Sequence, residues 1–301
     1  MEFQWFGGPD AGECSLEQAR IVVLPLCYEH RVSYGTGAAE GPRHILEASS
    51  QLEMLDDETF VNWSRLGIHT LAPLTPSPDP ETAVLQMKEA ADRVLDSGRF
   101  LLSLGGDHAI SIGPIMAAAK QYGSMGVLQV DAHLDLRDSW NGSRWNHACV
   151  MRRILEDVRC PIVQVGIRSV SVEEYAYVQE KGLEPVYMAG ITEHSADWMD
   201  TVIERLPSFV YLTIDLDGLD PSVVPGVGTP EPGGLMYRQL IQLVKRLGSR
   251  RTVVAADINE LSKIPGTQVS EFTAAKIASK LFVYASDAGK DQRKDPKGRE
   301  M

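Results

Sequence analysis

Three side chains of metal-ligand type stand at alternate positions in VLQVDAHLD (127–135): Asp131, His133 and Asp135. In extended chain alternate side chains share a face, so the three converge if the extension persists past the apolar strand that precedes them. Two carboxylates buried together are costly unless a cation compensates them. Three other apolar runs end in the same manner, at Gly105-Gly106-Asp107-His108, at Asp215-Leu216-Asp217 and at Asp257-Ile258-Asn259-Glu260. Each cluster alone has a plainer explanation, a turn or the cap of a following helix. Together, His108, Asp131, His133, Asp135, Asp215 and Asp217 supply four carboxylates and two imidazoles, a set that suits two divalent cations better than one. With no thiolate in the set, Mn²⁺ is favoured over Zn²⁺, other divalent metals remaining open. Two such cations about 3.5–4 Å apart lower the pKa of a shared water towards neutrality, which provides a nucleophile for hydrolysis. Spacings for a serine nucleophile elbow, a Walker A loop, an H-E-x-x-H helix or a zinc ribbon are absent from the sequence.

The elements that must position these groups are legible as alternating strands and helices. Seven short aliphatic runs read as strands: 21–26, 99–105, 126–132, 161–167, 184–189, 209–217 and 251–258. Between them, 81–97 and 236–247 carry apolar residues at helical spacing. A helix over 171–181 ends at Gly182, with Val172, Tyr175 and Val178 expected as its apolar face. This alternation predicts an α/β fold whose sheet is mostly parallel and covered on both faces. In such sheets ligands bind beyond the carboxyl ends of the strands, which is where four of the runs deliver their ionisable groups. The glycine-rich YGTGAAEGP (34–42) reads as a shaped loop and the proline-rich 72–81 as an extended connector. Residues 1–285 are expected to form one domain and 286–301, which lack large aliphatic side chains, a flexible C-terminal tail.

Composition bounds the partners. Lysine plus arginine total 29 against 41 acidic residues, a net charge of −12 that disfavours nucleic acid and anionic membranes and suits a small cationic substrate. Four cysteines without C-x-x-C spacing fit a reducing, cytoplasmic setting, and neither a signal peptide nor an 18-residue apolar run is visible.

GGDHAIS (105–111), DAHLD (131–135), IDLDGLDPS (214–222), PGVGTPEPGG (225–234) and DINEL (257–261), in that order, resemble the ureohydrolase family of arginases and agmatinases. PLCYEHRVSYGTGAAEGPRHILEASSQLE (25–53) extends the resemblance over nearly the whole chain. It implies a single three-layer α/β/α domain, homotrimers or homohexamers, and two Mn²⁺ per chain. His108, Asp131, Asp135 and Asp215 would hold one metal and Asp131, His133, Asp215 and Asp217 the other, so that Asp131 and Asp215 bridge. It also implies that Asp135 orients the nucleophile, that His147 shuttles protons to the leaving amine, and that Glu260 receives the substrate guanidinium. On the residues alone, His147 could instead start a helix and Glu260 could be a surface carboxylate. Arg137 stands where the arginase pattern has an asparagine, and Ser169 and Ser171 replace the aspartates of its G-x-R-D-x-D stretch. DLRDSWNGSRWNHACVMRRI (135–154) resembles the agmatinase branch, which implies agmatine hydrolysed to putrescine and urea. Arginase, guanidinobutyrase, another guanidino-acid hydrolase and formiminoglutamase stay open as alternatives, as does a non-catalytic binding relative. Arg137 and Arg144, if they point inward, would favour a carboxylate-bearing substrate; if not, they are solvated loop charges.

Overall fold

β-Branched and aliphatic side chains fit a sheet buried on both faces, and every expected run forms a strand. The structure, a computed structural model, describes residues 4–12, 14–191 and 197–294. The strands are β1 (Ile21–Pro25), β2 (Ile68–Thr70), β3 (Phe100–Leu104), β4 (Met125–Val130), β5 (Ile162–Ile167), β6 (Val186–Tyr187), β7 (Phe209–Asp215) and β8 (Thr252–Asn259). They pair in parallel in the order β2-β1-β3-β8-β7-β4-β5-β6. Alternate residues feed two cores: Val23, Leu102, Val130 and Leu212 face one side, Val22, Leu101, Val127 and Tyr211 the other. Helices Gly41–Ser49, Asp197–Glu204, Tyr237–Arg250 and Val269–Tyr284 close the first side, and Pro80–Leu95, Ile112–Tyr122 and Val172–Lys181 the second. The expected three-layer α/β/α architecture is therefore present.

Local signals explain several boundaries. Asp79 caps the helix Pro80–Leu95 by accepting the Thr82 N–H at 3.0 Å, and Pro80 occupies a first-turn position where no donor is needed. Ser171 and Glu174 form a capping box at one end of Val172–Lys181, and Gly182 closes the other in the left-handed conformation.

Four expectations change. An eighth strand, β2, escapes the sequence reading because it is three residues long and lies at the sheet edge. The face of Val172–Lys181 turned to the protein consists of Glu174, Tyr177 and Val178; Val172 is 89% exposed and Tyr175 is exposed. Capping fixes that helix's orientation, and Glu174 is drawn inward by the bonds it accepts. Residues 34–42 do not remain loop throughout, since the helix Gly41–Ser49 begins inside them. The expected tail likewise starts as structure: Ser286 is buried, Asp287–Lys294 is helical with Ala288 and Gly289 buried, and only 295–301 lie outside the described residues.

Candidate active site

The four strands that carry the motifs are the central β3, β8, β7 and β4, neighbours in the sheet, so their carboxyl ends form one continuous rim. His108 begins the turn after β3, Asp131 follows β4, Asp215 ends β7, Asp217 lies in the turn Leu216–Gly218, and Glu260 follows β8. Asp131, His133 and Asp135 do meet, but not because the strand continues. β4 stops at Val130; the His133 N–H turns back to Asp131 Oδ1 at 2.6 Å, and Asp135 adopts a left-handed backbone with φ 52°. Glu260 is also left-handed, with φ 64°. Such conformations cost about 1–3 kcal/mol each in a residue with a side chain, and here they aim two carboxylates into one cleft. Glu174 accepts the Leu136 N–H at 3.0 Å and so holds the Asp135 turn. The floor leaves no spare room: a Cβ at Gly166 would come 2.8 Å from the Asp131 carbonyl oxygen, and one at Gly218 would come 2.7 Å from the Asp131 nitrogen.

Two overlapping donor groups result. Ligand atoms of His108, Asp131 and Asp215 lie within 4.8 Å of one another, as do those of Asp131, His133 and Asp217. Asp131 belongs to both, the placement a bridging carboxylate needs. His108 Nδ1 lies 2.8 Å from Asp135, 3.1 Å from Asp131 and 3.4 Å from Asp215, yet no oxygen is in line for a hydrogen bond with it. Three carboxyl oxygens thus crowd one nitrogen without hydrogen-bond alignment, an arrangement that a cation between them would accommodate. His133 Nδ1 sits 2.9 Å from Asp217 and 3.5 Å from Asp131.

Deeper contacts orient these groups. His108 Nε2 is 2.9 Å from Thr213 Oγ1, and Thr213 donates its hydroxyl proton to buried Asp257 at 2.7 Å. Nε2 is therefore the donor in the first pair, which leaves Nδ1 for an electrophile. Gln164 donates to Gln129 at 2.6 Å, and Gln129 donates to Asp131 Oδ2 at 2.7 Å. Asp107 accepts the N–H groups of Ala109 and His30, a capping role as anticipated for an aspartate after a strand.

Charge is out of balance. Burial and the neighbouring Asp131 push the Asp135 carboxyl up to about 7, and burial with Asp217, Asp131 and Glu260 nearby pushes Asp215 well up. Burial and the proximity of Asp107 raise Glu260 as well. Burial alone would raise Asp131 and depress the two histidines. The opposite charges packed against them outweigh it, holding Asp131 below the usual carboxylate range and lifting His133 to about 12. A pair of divalent cations fits this donor set, supplying the positive charge that the cluster lacks.

The cleft above the cluster measures about 310 Å³ and includes Glu260, His147, Arg137, Trp140 and Glu231 in its wall. Glu260 Oε1 accepts the His108 N–H at 2.7 Å, and no hydrogen bond engages Oε2 among the described residues. His147 follows Asn146, which caps its turn, so the helix-start reading holds while the ring lines the cleft. The Trp140 indole N–H donates to Ser33 Oγ at 3.0 Å, and Ser33 in turn lies 2.9 Å from His147 Nε2. Ser33 Oγ thus joins the two rings in one relay. Burial, then His108 and His133, lower the imidazole to about 4, so it is neutral near pH 7. Arg137 pairs with Glu173 at 3.3 Å and stacks 4.1 Å above Trp140, whereas Arg144 turns away to Asp157. Sequence reasoning did not single out Ser33, Trp140, Thr213, Gln129 or Glu174; the contacts of Ser33, Trp140 and Thr213 and the Glu174–Leu136 bond span tens of positions, whereas Gln129 stands two residues before Asp131, a strand spacing that could have pointed to it.

The Arginase family's profile matches residues 19–283. A protein of Synechocystis named N(1)-aminopropylagmatine ureohydrolase is 39% identical over 93% of this chain and 92% of its own. A Pyrococcus horikoshii protein named agmatinase is 33% identical over 89% and 91%. The crystal structure of agmatine ureohydrolase of Thermoplasma volcanium superposes with a TM-score of 0.85 at 29% identity, covering 98% of this chain and 97% of that one. With its rim of aspartates and histidines on an eight-stranded parallel sheet, this chain belongs to the arginase family and is a hydrolase of carbon–nitrogen bonds in linear amidines.

Proposed function

We propose that the chain hydrolyses agmatine to putrescine and urea, using a pair of divalent cations, Mn²⁺ in first place. The observation that carries this reading is Glu260: a half-buried carboxylate beside the Asp/His cluster, with one oxygen committed to the His108 amide and the other paired with no lysine or arginine among the described residues. His108, Asp131, Asp135 and Asp215 would hold one cation and Asp131, His133, Asp215 and Asp217 the other. When bound, these cations supply Lewis acidity and hydroxide near neutral pH. Glu260 receives the guanidinium and fixes its plane against the cluster. Asp135, on its left-handed backbone, accepts a hydrogen bond from the attacking oxygen and so orients it. His147, neutral at rest, accepts a proton as the carbon becomes tetrahedral and returns it to the departing amine. Ser33 and Trp140 hold its ring in place. Water adds across the guanidinium carbon, the bond to the alkyl nitrogen breaks, and urea and the amine leave.

The relatives named agmatinase and N(1)-aminopropylagmatine ureohydrolase, together with the acid excess of the cleft, support a cationic tail over an acidic one. The same names favour a second reading, agmatine extended by an aminopropyl arm. The four free thiols support a reducing, cytoplasmic setting, and the family resemblance supports a homotrimer or homohexamer. The test is urea release by the manganese-loaded protein on agmatine, aminopropylagmatine, arginine and 4-guanidinobutyrate. Efficient turnover of the first two is expected; a preference for either amino acid or acid overturns the substrate assignment.

A further inference from the structure

Arg168, half-buried, sits in a cage of backbone carbonyls. Its guanidinium donates to six of them, those of Gly166, Asp217, Gly218, Leu219, Glu231 and Pro232, at 2.6–3.3 Å. Through those bonds it ties the Asp217 turn to the segment that carries Glu231. Two prolines flank that glutamate, Pro230 and Pro232, which fix their own φ angles and confine the residues before them to extended backbone. Glu231 is thus presented rigidly, half-buried, on the wall of the catalytic cleft. No hydrogen bond or ion pair engages its carboxylate among the described residues. The one arginine in the cleft wall, Arg137, is occupied by Glu173 and Trp140. Its carboxylate feels the charge of Arg168, but that guanidinium is spent on carbonyls, so the group is held firmly without a hydrogen bond or ion pair of its own and is preorganised for a ligand cation.

Its place along the cleft sets which cation. Gly228 lies against the guanidinium end, since a Cβ there would be 3.9 Å from Glu260 Oε2, and Thr229 donates to Asp217 Oδ2 at 3.2 Å. Glu231 stands three residues beyond Gly228, a span of at most about 10 Å. An extended chain of six bonds, the separation of the guanidinium carbon and the amine nitrogen in agmatine, covers about 7–8 Å. We propose that Glu231 receives the ammonium group carried four methylenes from the reacting guanidinium and thereby selects amine-tailed over neutral or acid-tailed guanidines. This rests on the assignment of the guanidinium to Glu260.

The experiment compares E231Q and E231D with the wild-type, manganese-loaded chain on agmatine and on pentylguanidine, which replaces the ammonium by a methyl group. The kcat/KM ratio of agmatine to pentylguanidine should fall roughly 10- to 100-fold in E231Q, mainly through KM, and recover in part in E231D. An unchanged ratio, or an equal loss on both substrates, would overturn the proposal, as would wild-type preference for 4-guanidinobutyrate over agmatine. Calorimetric binding of agmatine separates this proposal from the hydrolase reading. If wild type binds it 10- to 100-fold tighter than E231Q but releases no urea, the ammonium contact stands and the reaction assignment fails; equal binding by both sinks the contact.

Discussion

Two buried charge clusters in this chain are built on opposite terms. Beneath the cleft, Asp131, Asp135, Asp215, Asp217 and Glu260 form ion pairs only with the imidazoles of His108 and His133 among the described residues; Arg168 is near Asp217 but is bonded to backbone carbonyls. On the far side of the sheet, buried Lys280 bonds both Asp56 and Asp57, and Asp56 also accepts from Thr59 and Tyr284. The second cluster is closed on itself and stabilises the junction of the 53–61 loop with the helix Val269–Tyr284. The first is incomplete without an external cation. Acid excess in a cleft marks a site, whereas acid matched by an in-chain ammonium marks architecture.

The contrast can be broken most directly at Asp131, the one residue common to both donor groups. Asp131→Ala should bring metal content, by elemental analysis, and urea release to background while the fold persists by circular dichroism; retention of both cations would remove the basis for a bridging carboxylate. His147→Asn should lower kcat by roughly 10²–10⁴ with metal content intact, because a proton relay is lost and no ligand is. Loss of metal in that variant would instead make the residue a ligand. Thr213→Val tests the support of His108 and should weaken metal binding by about 10- to 100-fold in a chelator competition. At the closed cluster, Lys280→Met should leave kcat/KM as it is but lower unfolding free energy by about 3–5 kcal/mol in chemical denaturation, since Asp56 is left buried and uncompensated. A drop in urea release there would erase the distinction between the clusters.

That last variant also carries a pH signature. Burial tends to raise the Asp56 carboxyl, but the bonds from Lys280 and Thr59 outweigh it and hold it below the ordinary value. Its stabilisation is therefore complete above the ordinary carboxylate pKa and fades as pH falls through the depressed one. Acid unfolding of Lys280→Met should lack this component.

Legibility in the sequence followed the range of the interactions. Asp131, His133, Asp135, His108 and Asp217 were visible because each stands at the end of an apolar run, and a parallel sheet collects such ends on one side. How Asp135 and Glu260 are aimed was not visible, because a left-handed backbone in a residue other than glycine is imposed by neighbours far along the chain. The Trp140–Ser33–His147 relay joins positions over a hundred residues apart. β2 was hidden by its brevity at the sheet edge, and the helix Asp287–Lys294 by a polar composition that resembles a tail while its few small residues pack inward. Arg137 and Arg144 had the same reading in sequence, and only the fold separates them: one enters the cleft wall and the other does not.

The glycines that flank Asp131 bear on how such an enzyme can be altered. Backbone from two neighbouring segments presses on that aspartate closely enough that a single methyl group at 166 or 218 would displace it. Directed evolution towards new guanidines therefore has no room to work in the floor. Diversity has to be sown at outer positions of the wall such as Arg137, Val170 and Glu231, where a changed side chain reaches the incoming molecule before it reaches the ligands.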